Sequence, residues 1–322
     1  MRRLGAAAGP AVGPDDIVAA MDRIRPRVRK TPVIEVRRGE LGLEHPVTLK
    51  LELLQHAGSF KTRGAFNRVL GAMAAGEVGE AGLIAASGGN HGAAVAFVAQ
   101  QLDLPAEIFM PSTSPAIKRE RIESFGANVN VVDGYYDDAQ RACGARQAET
   151  GALAIHPFEH PAIIAGQGTM AVELDDQVGD YDTLLVAVGG GGFIAGQAAW
   201  VQDRRRVVGV EPTTSNCLTA ARAAGAPVPV DVAGIAADSL GAIQLGAISW
   251  TIVQTFVDDV VLVNDDDIRA AQRALWDGLR LVVEPGGAAA LAALRSGAYT
   301  PDPAERVIVA VCGSNCDPDS VL

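Results

Sequence analysis

The chain has 322 residues, 48% of them hydrophobic, and its 38 acidic against 27 basic residues give a formal charge of −11. That length buries a sizeable core and suggests about two domains, while the acidic balance and the lack of a Lys/Arg block argue against nucleic acid as a partner. No run approaches the roughly 18 apolar residues of a membrane span, the N-terminus has no signal-like apolar core, and Cys143, Cys217, Cys312 and Cys316 are too irregularly spaced for a disulfide scaffold, so a cytoplasmic protein with reduced thiols is expected.

In chain order, residues 1–14 read as a flexible tail, and Pro14-Asp15-Asp16 opens a helix through Ile17, Met21 and Ile24. The basic run from Arg23 to Lys30 is broken by Pro26 and reads as a solvated face. Alternating residues over 46–53 predict a strand, followed by a glycine-bounded turn and a helix that starts near Lys61. A strand at 82–86, a helix at 91–102, a strand at 106–110, a helix at 116–125 and a strand at 129–132 continue a βαβ alternation, which implies a parallel sheet covered on both faces. The second half repeats it with strands at 184–188, 207–210, 260–263 and 307–311 and helices at 265–279 and 288–294. The continuous Val/Ile/Leu runs of these four strands mark them as central.

The chemistry collects at strand ends. Lys61, in Gly58-Ser59-Phe60-Lys61-Thr62-Arg63-Gly64, becomes a nucleophile if desolvation or a neighbouring cation, for which Arg63 is the candidate, makes its neutral form accessible. The alternative is a surface lysine in a first helical turn. Ser87-Gly88-Gly89-Asn90-His91-Gly92 offers backbone N–H groups at a helix N-terminus, which suits a carboxylate or another anion; alternatively it is a tight turn capped by His91. Gly189-Gly190-Gly191-Gly192 follows an apolar strand and suits a phosphate, but no Gly-Lys-Ser/Thr follows it. Glu211 lies about 20 residues on, but Pro212 follows it and a dinucleotide reading is weak. Glu284 is held extended by Pro285, and Cys312-Gly313-Ser314-Asn315 follows the last strand.

Taken with His156-Pro157-Phe158, Ala165-Gly166-Gln167-Gly168-Thr169 and Val210-Glu211-Pro212, these segments resemble, in one order over roughly residues 17–317, the fold type II pyridoxal-phosphate enzymes of the threonine dehydratase and serine racemase family. The resemblance implies an α/β fold like that of tryptophan synthase β, with two parallel-sheet domains and the cofactor between them: residues 1–80 and 159–322 as the large domain, 81–158 as the small one. It implies that Lys61 holds pyridoxal 5'-phosphate covalently and then takes the substrate's Cα proton, that Phe60 packs on the cofactor ring, and that Asn90 bonds its 3-hydroxyl. Gly189, Gly190, Gly191 and Gly192 would wrap the phosphate, Glu284 would stand beside the cofactor, and Ser87, Asn90 and His91 would receive the substrate carboxylate.

Cys312 would face the pyridine nitrogen, where a neutral thiol favours elimination. Relatives of this type bind a divalent cation through the Glu of Glu-Pro and an Asp six residues on; here those positions are Glu211 and Cys217, and a thiol is a poor ligand for Mg²⁺ or Ca²⁺, so only weak binding at Glu211 is expected. Ala236-Ala237-Asp238-Ser239-Leu240-Gly241 departs from the relatives' Ala-Asp-Gly and leaves the substrate open.

The function implied is that of a homodimeric lyase acting on a small amino acid, L-threonine or L-serine, to give a 2-oxo acid and ammonia. The alternatives are a racemase, a β-replacement synthase of the cysteine synthase kind, or a non-catalytic ligand-binding protein. The racemases that the chain resembles carry a second acid-base serine where this chain has Gly88. Residues 316–322 are too few for the regulatory domain of biosynthetic threonine dehydratases, so isoleucine feedback through one is not expected.

Overall fold

The structure is a computed structural model that describes residues 11–321; of the expected tail, residues 1–10 lie outside them. The first helix, Pro14–Ile24, starts as the sequence implies: Gly13 is the N-cap, Pro14 takes the first helical position, and the Asp16 carboxylate accepts the Gly13 N–H at 2.9 Å.

The strands form two sheets. Six of them are β1 (Val33–Val36), β2 (Val47–Lys50), β7 (Thr183–Ala187), β8 (Arg206–Pro212), β9 (Asp259–Val263) and β10 (Val307–Ala310), in the order β1-β2-β10-β7-β8-β9. The other four are β3 (Leu83–Ala86), β4 (Ala106–Pro111), β5 (Asn128–Val132) and β6 (Leu153–Ala154), in the order β5-β4-β3-β6. Every pairing is parallel except β1 with β2. The fully buried β7 and β10 are central, as their apolar runs demand. β9 is not: it pairs with β8 alone and its Val260, Val261 and Leu262 are half-buried, which corrects its reading as a central strand. An apolar run that meets helices on a sheet edge cannot be told from a central strand by composition.

Three helices meet below the strand ends: Lys61–Ala74, Pro161–Gln177 and Gly192–Val201. Their axes come close because glycines face one another. A Cβ on Gly166 would stand 2.7 Å from the Arg63 carbonyl oxygen, and one on Gly196 would stand 2.4 Å from that of Ile164. This packing brings the Lys61 turn, the tetraglycine turn and the strand ends to one place.

Candidate active site

After β2 the chain makes two short 3₁₀ turns, Glu52–Leu54 and His56–Gly58, and enters the helix at Lys61. The turn is tied to the end of β10. Ser59 bridges Gly313, Phe60 N–H donates to the Cys312 carbonyl at 3.2 Å, and Ser314 N–H donates to that of Gly58 at 2.9 Å. Gly58 has φ +76°, and a Cβ there would lie 2.5 Å from Asn315 Oδ1, so the turn requires glycine. This ladder sets Lys61 beside Cys312.

Lys61 Nζ donates to the Pro157 carbonyl at 3.0 Å and stands 5.2 Å from the Phe60 ring centroid. Phe60 stacks on Phe193, with centroids 3.9 Å apart. Removal from bulk water pulls the Lys61 pKa down to about 8, against the opposing pull of Cys312 and Glu284. Arg63 is not the cause. Its fully buried guanidinium pairs with Glu52 at 2.7 Å and Glu173 at 2.8 Å, in a cluster that Lys50 joins through a 2.7 Å contact with Glu173. Two cations meet two carboxylates there, so the cluster leaves no uncompensated field for Lys61, which corrects the role expected of Arg63.

Asn90, at the start of the helix Asn90–Gln101, donates from Nδ2 to Glu284 Oε1, while its Oδ1 accepts Asn315 Nδ2 at 2.7 Å. Burial raises the Glu284 carboxyl to about 7, against the opposing effects of Lys118 and Asn90. The other Glu284 oxygen, Oε2, has no hydrogen-bond partner. Cys312 is 3% exposed, its Sγ 3.5 Å from the Gly286 carbonyl. Burial, then Glu284, pushes the thiol up, so it stays neutral.

The tetraglycine turn leaves β7 and becomes the N-terminus of the helix Gly192–Val201. Gly191 has φ +87°, and a Cβ on Gly190 would lie 2.4 Å from the Phe158 ring. Only glycine follows this path, and the first-turn N–H groups of the helix are left for an anion. Phe60, Lys61, Asn90, Gly189, Gly190, Gly191, Gly192, Glu284 and Cys312 thus line one cavity, together with residues to which the sequence reading assigned no role, among them Gln167, Phe158 and Ser239.

Ser87 and His91 are not among the lining residues. The Ser87 hydroxyl accepts Gly89 N–H at 3.2 Å, and the buried His91 ring bonds the Ile155 carbonyl at 2.7 Å. Burial and Lys61 hold His91 at about 3, so its ring is neutral. Of the expected substrate-carboxylate set, Asn90 alone faces the cavity, beside the backbone of the glycine turn.

Glu211 serves the fold. Its carboxylate accepts Leu218 N–H at 2.7 Å and the N–H and hydroxyl of Thr219 at 2.9 and 2.7 Å, capping the helix Cys217–Ala224. Cys217 donates to the Gly189 carbonyl at 3.1 Å. Glu211, where weak cation binding is expected, and Cys217, the poor ligand, thus both make hydrogen bonds within the fold.

The lining suits pyridoxal phosphate on three counts. A lysine of lowered pKa stands among apolar rings, an N–H cradle of glycines stands at a helix N-terminus, and two buried polar atoms, Glu284 Oε2 and Gln167 Oε1, lack partners. Two parallel sheets meeting over such a cavity define a fold type II pyridoxal-phosphate enzyme. The chain belongs to the family described as pyridoxal-phosphate dependent enzyme, whose model matches residues 24–313.

It is 37% identical over 282 residues to a biosynthetic L-threonine dehydratase of Haemophilus influenzae, covering 87% of this chain and 55% of that protein. It is 36% identical over 304 residues to an L-threonine ammonia-lyase of Geobacter sulfurreducens, covering 94% of this chain and 75% of that protein. The chain thus spans about half the length of the first of these relatives. The structure of maize serine racemase superposes with a TM-score of 0.88 at 34% identity, covering 95% of this chain and 94% of that one.

Proposed function

We propose that this chain is an ammonia-lyase that removes the β-hydroxyl of L-threonine or L-serine and releases a 2-oxo acid and ammonia. The observation that carries the reading is Lys61: a primary amine brought to about 8, beside a thiol that stays neutral. The cofactor, when bound, supplies a conjugated sink for the electron pair released at the substrate's Cα.

What the chain contributes follows from its own groups. Near neutral pH a useful fraction of Lys61 is unprotonated, so it can take the Cα proton. The Pro157 carbonyl fixes where its Nζ stands. Phe60 and Phe193 keep water from that amine. Cys312 would offer no negative charge to the bound cofactor's ring, a setting that would favour loss of the β-hydroxyl. Asn90, held by Glu284 and Asn315, would present its amide to the cofactor's hydroxyl, and as the member of the expected carboxylate set that lines the cavity it would also meet the substrate carboxylate.

The racemase reading is favoured by the likeness to maize serine racemase. Against it stands Gly88. A Cβ there would come 1.9 Å from Ser114 Oγ, so the position is filled by a neighbour and carries no acid-base group of its own. Placed acid-base groups contribute on the order of 10²–10⁴-fold; residue 88 supplies none, and the Ser114 hydroxyl that stands there is outside the residues lining the cavity. A division into 1–80 with 159–322 and 81–158 is supported by the strands, since β3 to β6 pair only with one another. A homodimer in the cytoplasm completes the proposal; equilibrium sedimentation tests its size.

The experiment is to reduce the holoenzyme with borohydride, map the pyridoxyl peptide, and follow pyruvate, ammonia and D-serine from L-serine. Label on Lys61 with pyruvate and ammonia in equal amounts is expected. Label elsewhere sinks the lysine assignment, and D-serine forming as fast as pyruvate sinks the lyase.

A further inference from the structure

Gln167 is buried in the helix Pro161–Gln177 at 1% exposure, lines the cavity, and its Oε1 has no hydrogen-bond partner. Buried side-chain amides are normally satisfied, so an orphan on a cavity wall points to a ligand. The chain also makes room for it. A Cβ on Gly64 would stand 2.5 Å from Gln167 Nε2, so glycine at 64 is what lets the amide lie there.

Its neighbours locate it. Gly64 is one turn beyond Lys61 on its helix. On the other side, Gln197 Nε2 donates both to the Gln167 carbonyl at 2.7 Å and to that of Phe193 at 3.2 Å, in the first turn after the tetraglycine. Gln167 therefore stands between the lysine and the glycine cradle. In pyridoxal phosphate the aldehyde carbon and the phosphate arm are on adjacent ring carbons, so a group between those two elements meets the arm. Among the described residues lining the cavity, Lys61 is the sole lysine or arginine, so the phosphate has to be held by neutral donors.

We propose that Gln167 is a further ligand of the cofactor's phosphate, donating through Nε2 beside the glycine N–H groups. A half-turn of the amide about its last bond brings the NH₂ to the position that Oε1 holds here, so that the unpartnered position carries the donor a phosphate anion needs. Glu284, whose Oε2 is the cavity's other orphan, meets Asn90 and Gly313 through Oε1 and marks the opposite end. The inference rests on the reading that the glycine turn holds the phosphate.

The test compares pyridoxal 5'-phosphate with pyridoxal, which lacks the phosphate, by absorbance titration of cofactor-free wild-type, Gln167→Met and Gln167→Glu proteins. Both variants should bind the phosphorylated ligand at least about tenfold more weakly, with pyridoxal affinity unchanged and Gln167→Glu the worse. Unchanged affinity for the phosphorylated ligand, or an equal loss for both ligands, overturns the proposal, the latter by showing a packing role. A wild-type protein that does not prefer the phosphorylated ligand overturns the glycine-turn reading itself. Should neither variant fold, ¹⁵N-glutamine labelling of the wild type supplies the answer. A side-chain amide resonance that moves with pyridoxal 5'-phosphate and not with pyridoxal is expected, and no such resonance overturns the proposal.

Discussion

Glu284 and Lys61 share one cavity but impose opposite slopes on stability. The Glu284 carboxyl rises from an ordinary 4.5 to about 7, so between those values the folded chain binds more protons than the unfolded one. Its stabilising contribution is full below about 4.5 and is lost as pH climbs through 7. Lys61 falls from 10.5 to about 8. The folded chain then binds fewer protons over that window, and stability rises with pH across it. Urea midpoints of cofactor-free protein should show the falling limb vanish in Glu284→Gln and the rising limb vanish in Lys61→Met. A falling limb that survives in Glu284→Gln assigns it to other groups.

Cys312 admits a sharper contrast. Cys312→Ser keeps a neutral group and should retain most activity, whereas Cys312→Asp sets a second buried carboxyl near Glu284. The Asp variant should lower the thermal midpoint, shift the cofactor's absorption band and reduce elimination at least about tenfold. Full activity and an unshifted band in that variant would remove Cys312 from the cofactor's side.

Among the elements, the turn between β3 and the helix Asn90–Gln101 is the one whose sequence and packing disagree with a simple swap. Gly88→Ser would restore the residue that the resembled racemases carry, but its Cβ would lie 1.9 Å from Ser114 Oγ and 2.8 Å from Ser114 Cβ. The single variant should therefore lose about 1–3 kcal/mol of stability, and Gly88→Ser with Ser114→Gly should recover it and raise the D-serine fraction. Stability unchanged in the single variant would mean that the loop yields easily.

That case also indicates where a linear reading stops. Apolar runs and alternation located the strands other than β1 and β6, and glycine turns at strand ends located Lys61, Asn90 and the tetraglycine turn, because these are local properties of the chain. The helix Pro161–Gln177 carries no such period, and its Gln167 gains meaning only once Gly64 is seen to make room for it. Asn315 was visible only as part of a motif, because its contact with Asn90 spans 225 positions. Arg63 misled for the same reason: adjacency to Lys61 in sequence put it near, and a helix turns residues two apart away from each other.

At the scale of the molecule, Lys118, on the helix Ala116–Glu123 beside the four-stranded sheet, pairs with Asp238, next to the cavity residue Ser239. Lys118 is 6% exposed at its side chain and Asp238 45%. The partners are therefore unequal. Asp238→Asn leaves a buried ammonium unpaired and should destabilise the protein by about 1–3 kcal/mol, while Lys118→Met frees an exposed carboxylate and should cost under about 1 kcal/mol. Denaturant midpoints read the difference, and equal losses would contradict the burial argument.

The four charges under the Lys61 helix have a different kind of consequence. Lys50 ends β2, Glu52 lies in the following turn, Arg63 is on the Lys61 helix, and Glu173 is on Pro161–Gln177. Losing one member strands its partners at roughly 3–5 kcal/mol, more than a marginally stable chain tolerates easily. Descent through single substitutions is therefore closed to these positions; they pass between generations as a unit. Gene shuffling that joins residues 1–80 of this chain to residues 159–322 of a distant relative should yield folded offspring only where both parents supply matching charges at this junction.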